Sequence, residues 1–161
     1  MDFTPIRMKP VYVPPGGPPQ HIAPSQEIYA LMGEENIFKM CEDFYRKLEG
    51  SELRPMFPPD MVEASKKQAM FIVGLVGGPP LFAQAFGPPM MRKRHIPFEI
   101  DEAARQIWLT CFTETLKNAV EDYHFPAEHL DGFIEFLIGF SAWMVNTDTG
   151  CPGSGQDIGA S

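Results

Sequence analysis

The chain has 161 residues, a formal charge of −8 and a pI near 4.9. That length supports a single core, and the acidic balance lacks the basic footprint that nucleic acid requires. No apolar run approaches the roughly 20 residues of a membrane span, no leader pattern opens the chain, and Cys41, Cys111 and Cys151 fit neither a disulfide framework nor a zinc motif, so a reducing cytoplasm is the expected setting.

Residues 1–25 read as a proline-rich extension, with Pro-Pro-Gly-Gly-Pro-Pro at 14–19, unable to supply helix or ladder hydrogen bonds. The spacing then predicts a short first helix over 26–32, stopped at Gly33. From Glu34 to Glu49, Ile37, Met40, Cys41, Phe44, Tyr45 and Leu48 fall on one face, and Gly50 suits a C-terminal cap. Arg54-Pro-Met-Phe-Pro-Pro forms a corner. Asp60 caps a helix to Val76, ended by Gly77-Gly78-Pro79-Pro80. Residues 77–91 read as one long loop, a length that usually wraps something. Asp101 caps a helix running to about Glu121, with Ala104, Ile107, Trp108, Cys111, Phe112 and Thr115 inward. Pro126 opens the last helix, whose stripe is Leu130, Phe133, Ile134, Leu137, Ile138, Ser141 and Met144. Residues 147–161 form a glycine-rich tail. The body, 26–146, is all-α.

The most informative stretch is Arg92-Lys-Arg-His95-Ile-Pro-Phe-Glu-Ile. Pro97 disfavours helical geometry at Ile96, so a helix carrying His95 must end almost at once. A short helix presenting one imidazole, with guanidinium groups beside it, suits a planar dianionic ligand whose metal needs an axial nitrogen. Haem is such a ligand. The 13 phenylalanines pack with one another in the plainer reading; they also suit the walls of a pocket for a large flat group.

Phe44-Tyr45, Met56-Phe57-Pro58, Gly77-Gly78-Pro79 and Arg94-His95-x-Pro97-Phe98, with Trp108 thirteen residues after the histidine, occur in an order that resembles a truncated haemoglobin, most like group II. The resemblance spans Glu27 to about Asn146. It implies a globin-like two-over-two helical sandwich around haem b, with a short first helix and mostly loop in place of the proximal helix. It makes His95 the axial ligand of the iron and Arg94 a propionate partner, since a planar fork pairs bidentately with carboxylate. Arg92 is an assistant, and Lys93 suits a solvated position better. Tyr45, Gln68 and Trp108 are implied around the sixth coordination position, where their N–H and O–H groups would stabilise a diatomic ligand. Ala64 stands where ordinary globins carry the distal histidine and leaves a side entrance open. Phe57 fills the corner position, without the hydroxyl that some group members have there. Phe71, Phe82 and Phe98 are implied as apolar walls, with Ile100 a core residue. The usual Gly-Gly pair ending the first helix is here only Gly33, and the two terminal extensions have no counterpart in the minimal fold.

The function implied is reversible binding, or transport, of dioxygen or another diatomic ligand. Nitric oxide dioxygenation or peroxidase-like turnover at the same haem is the alternative. It would need an external reductase, because the chain has no flavin motif. A haem-free helical interaction module, recognising partners through the proline arm, is the third reading. A monomer or weak homodimer is expected.

Overall fold

The computed structural model describes residues 12–15 and 23–148. The rest of the expected extension and tail, residues 1–11, 16–22 and 149–161, lies outside the described residues. Among the described residues there is no strand, and no helix is long and apolar enough to cross a membrane.

Eight α-helices follow in order: α1 Ile28–Met32, α2 Glu34–Glu49, α3 Met61–Leu75, α4 Leu81–Phe86, α5 Met91–His95, α6 Glu102–Thr115, α7 Ala119–Tyr123 and α8 Leu130–Met144. Four are substantial, α2, α3, α6 and α8. The α2–α3 pair packs over the α6–α8 pair, and α2 against α6 joins the layers. This is the two-over-two sandwich.

The face read for α2 is its buried face, residue for residue. Phe44 stacks on Phe112 of α6 with ring centroids 4.1 Å apart, and Phe112 meets Phe133 of α8 edge-on at 5.9 Å. All three rings are fully buried, so this column pins both layers. Asp60 and Asp101 cap their helices by accepting from the Glu63 and Ala104 amides at 3.1 and 2.8 Å, each satisfying an amide that the first turn leaves orphaned.

Gly77 and Gly78 are required by close approach. Gly77 has φ +106°, and a Cβ there would lie 1.9 Å from the Gln26 carbonyl oxygen; one on Gly78 would meet the Tyr29 ring and Val73 at 2.6 Å. The tight fit lets the Tyr29 amide donate to Val76 and the Gln26 side chain to Leu75. The start of the domain is thereby locked onto the end of α3.

Four expectations are corrected. The stretch 77–91 is not all loop, because α4 forms within it once Phe82 finds a buried site. The helix expected to about Glu121 tightens into a 3-10 turn at Leu116–Asn118 before α7 resumes. On α8, Ile138 is 47% exposed whereas Phe136 is 7% exposed, so the inner face is rotated toward the phenylalanines that stack at 136 and 140. Lastly, Ile96 keeps right-handed helical angles (φ −54°, ψ −38°) although Pro97 follows. The helix still ends at His95, because Pro97 has no N–H to continue the ladder.

Candidate functional site

The four long helices and the segment from α4 to Ile100 enclose the region to which the sequence points. α5 has five residues, of which none is fully buried. Within it the His95 Nδ1 lies 2.7 Å from the Met91 carbonyl oxygen. A carbonyl only accepts, so Nδ1 carries the hydrogen and Nε2 keeps its lone pair. Burial lowers the imidazole pKa, and the bond to Met91 opposes this more weakly. The ring is therefore held neutral, with Nε2 unshared among the described residues. The same residues assemble no group of three or more His, Cys, Asp or Glu side chains that could hold a bare ion. A metal on His95 must bring its own equatorial ligands.

Tyr45 is 8% exposed. Its ring meets Phe44 and Phe57 edge-on at 5.4 and 5.6 Å, while its hydroxyl has no hydrogen-bond partner among the described residues. Desolvation, then Cys41, raises its pKa, so it remains a phenol with a proton to donate. Trp108, half-buried on α6, packs against Phe44 and Phe112, both at 5.5 Å, and Phe140 at 6.4 Å; its indole N–H is likewise unpartnered. Gln68 is half-buried on α3, four residues after Ala64 and three before Phe71, so the three share one helical face. Its amide has no partner among the described residues either.

Ring contacts bring most of the expected site residues together. Phe57 touches Tyr45, Tyr45 touches Phe44, and Phe44 touches Trp108. Trp108 meets Phe140, Phe140 meets Phe71 at 5.8 Å, and Phe71 meets Phe82 at 6.3 Å. The Arg94 guanidinium closes the series 5.0 Å above Phe82. Beside α5 an open, mostly apolar cavity of about 570 Å³ is lined by Phe71, Met91, Ile96, Phe140, Trp143 and Met144, with Arg92 and Lys93 at it too; His95, Tyr45, Gln68 and Trp108 do not line it. Phe98 is 38% exposed and is less of an inner wall than Phe71 or Phe82.

The two arginines differ. Arg94 Nε donates to Pro89 at 2.6 Å and its Nη2 to Phe86 and Pro88 at 2.9 Å, which leaves Nη1 uncommitted at the surface. Arg92 faces the other way. It donates to the carbonyls of Trp143, Val145 and Tyr12 and lies 4.2 Å over the Trp143 ring. Lys93 is exposed. Three contributors escaped the sequence reading. Arg54 holds the Phe57 corner through the carbonyls of Phe57, Pro58 and Pro59 at 3.1 to 3.3 Å. Phe140 links two walls, and only its offset from the chosen α8 stripe could have flagged it. Asn146 is the third.

The fit to haem can be tested on these groups. A neutral imidazole with an unshared nitrogen, three unpartnered donors on other helices and a run of aromatic walls are what a flat apolar macrocycle with a ligand-binding metal demands. The residues fit.

The bacterial-like globin family matches residues 27–144, and the chain belongs to it as a truncated haemoglobin most like those of group II. Among its relatives, the group 2 truncated hemoglobin YjbI of Bacillus subtilis (strain 168) is 36% identical over 113 residues, 69% of this chain and 79% of that protein. Hell's gate globin IV, in its phosphate-bound crystal structure, is 36% identical with a TM-score of 0.72, covering 81% of each chain. The group II truncated hemoglobin of Bacillus anthracis is 33% identical with a TM-score of 0.66, covering 75% of this chain and 96% of that one. Haem binding follows from the family.

Proposed function

We infer that the protein holds haem through His95 and reversibly binds dioxygen, or another diatomic ligand, on the side facing Tyr45, Gln68 and Trp108. The observation that carries this reading is the set of unpartnered polar atoms: one acceptor, His95 Nε2, and three donors on α2, α3 and α6. Haem b would supply an iron able to take an axial nitrogen and a small ligand. The chain's residues do the rest. The bond to Met91 fixes the imidazole tautomer and keeps Nε2 available. Arg94, through its uncommitted Nη1, pairs a propionate at the surface. Phe57, Phe71, Phe82 and Phe98 would supply apolar walls that exclude water from the bound group. Tyr45 and Trp108 donate from positions fixed by the shared Phe44 contact, and Gln68 donates from the same face as Ala64, whose small side chain leaves an approach open.

A relative from Bacillus subtilis, 33% identical, is described as an oxygen-avid truncated haemoglobin, which supports dioxygen as the ligand here. The test is an absorption spectrum of hemin-supplied protein, recorded ferric, reduced, and reduced under oxygen, beside His95→Ala. A histidine-ligated ferrous spectrum that converts reversibly to an oxygenated one, lost in the variant, is expected. A spectrum unaffected by His95→Ala defeats the assignment of the axial ligand. Conversion to the ferric form within one oxygenation cycle favours redox turnover over reversible binding.

A further inference from the structure

α5 poses a physical problem. It is five residues long, starts from Met90 in the left-handed region (φ +40°), has no side-chain cap, and none of its residues is fully buried. A helix this short does not persist by itself, and it has no core side chain to anchor it. Something else must fix the backbone that carries His95.

We propose that Asn146 is the positioning residue for the His95 imidazole, and that Tyr12 of the N-terminal extension completes the bracket. This rests on His95 being the axial ligand. Asn146 follows the end of α8, is 0% exposed, and uses its side chain as a fork. Nδ2 donates to the His95 carbonyl at 3.1 Å, while Oδ1 accepts from the Ile100 amide at 2.9 Å. The two prongs span Ile96–Glu99, the turn that ends the imidazole helix and carries Phe98. Backbone bonds from Asn146 and Thr147 to the Ile100 carbonyl, at 2.9 and 3.3 Å, double the attachment. A fully buried amide is tolerated only when its hydrogen bonds are met, and here they converge on the proximal segment.

The other end of α5 is tied to the same place. Arg92, on the turn before His95, donates to Trp143 and Val145, and its remaining arm donates to Tyr12 at 2.7 Å. Tyr12 in turn donates its amide to the Asn146 carbonyl at 2.8 Å. A residue 83 positions before His95 thus bonds both groups that hold the imidazole helix. Through Tyr12 the extension touches the groups that hold the imidazole helix.

The test uses full-length holoprotein and two readouts: the ferrous iron–histidine stretching band by resonance Raman, and the rate of hemin transfer to excess apomyoglobin. Asn146→Leu keeps the branched shape of the side chain and removes the fork's polar atoms; Tyr12→Pro removes the amide hydrogen together with the ring, so Tyr12→Ala, which keeps the amide, serves as its side-chain control. Asn146→Leu should shift or broaden the band and speed hemin transfer about tenfold, since two backbone groups lose partners. Tyr12→Pro should move both readouts the same way by a smaller factor. Asp60→Ala, which weakens the distal α3 cap, should lower the unfolding midpoint and leave the band unmoved. That control separates positioning from general stability. A wild-type band unmoved in both variants, with hemin transfer within twofold, overturns the bracket alone. Absence of any histidine band in the wild type overturns the axial assignment with it. If Asn146→Leu yields no folded protein, Tyr12→Pro decides by the same criteria.

Discussion

Tyr45→Phe should act with opposite signs in the haem-free and haem-loaded protein. The substitution leaves the ring and its edge contacts to Phe44 and Phe57 in place and removes only the hydroxyl. In the haem-free state that hydroxyl is buried without a partner, and an unsatisfied buried donor costs about 1–3 kcal/mol. The side chain retains 8% exposure, so the lower end applies, and the variant should gain about 1 kcal/mol, or about 2–4 °C in Tm. On the proposed function the same hydroxyl donates to the diatomic ligand in the loaded protein. Losing a bond worth about 1.5–3 kcal/mol there should raise the oxygen dissociation rate roughly ten- to a hundredfold. Urea unfolding of apoprotein gives the first quantity, and stopped-flow displacement of oxygen by carbon monoxide gives the second. An off-rate within twofold of wild type, with a destabilised apoprotein, would show that the hydroxyl serves the core and not the ligand.

Gly77→Ala should cost about 3 kcal/mol or more, because it combines a left-handed φ with a Cβ driven into the Gln26 carbonyl; a chemical denaturation loss below about 1 kcal/mol would contradict the close approach. Asp101→Ala should cost about 1 kcal/mol through the lost cap on the Trp108 helix, with Asp101→Asn recovering most of it; thermal scans of the three proteins compare them directly. Burial lowers the His95 pKa below its ordinary value of 6.5, so the folded apoprotein binds fewer protons than the unfolded chain in acid. Its stability contribution is intact above about pH 6.5 and is lost as pH falls toward the folded value. Urea midpoints at about pH 7.5 and about pH 5 should therefore differ less in His95→Gln than in wild type, and equal differences would reject the assignment.

What the sequence made legible was local or periodic. The α2 face, the two aspartate caps and the stop at Gly33 each follow from spacing within a few residues, and each is found where it was expected. The errors arise where tertiary contact overrides local preference. α4 exists because Phe82 can bury against Phe71 and Phe86, which no proline count could indicate. On α8, apolar residues occupy so much of the circumference that the pattern does not select a face, and ring stacking among Phe71, Phe136 and Phe140 does. Arg92 and Arg94 are near neighbours of one type, yet one seals the end of α8 and the other the loop before α5. That division depends on which carbonyls the fold leaves open. Asn146 was unreadable for the same reason: its partners lie 46 and 51 residues earlier.

The lack of partners at the site is a local property, and this is what ties it to function. Three buried hydroxyls away from the site are satisfied within the described residues. Ser65 donates to Val62 at 2.8 Å, Thr115 to Cys111 at 2.9 Å, and Ser141 accepts from Arg105 at 3.0 Å. Among the described residues His95 Nε2, the Tyr45 phenol, the Gln68 amide and the Trp108 indole N–H have no protein partner, and Tyr45 and Trp108 share the Phe44 ring contact. A folded state that carries this deficit gains from whatever fills it, in proportion to RT ln(1 + [L]/Kd) for a ligand that binds only the native form. The gain should concentrate in α5, which lacks core anchors of its own. Hydrogen exchange should accordingly show protection on haem loading that is largest from Met91 to Ile100 and small in α2, which six buried residues already anchor in the core.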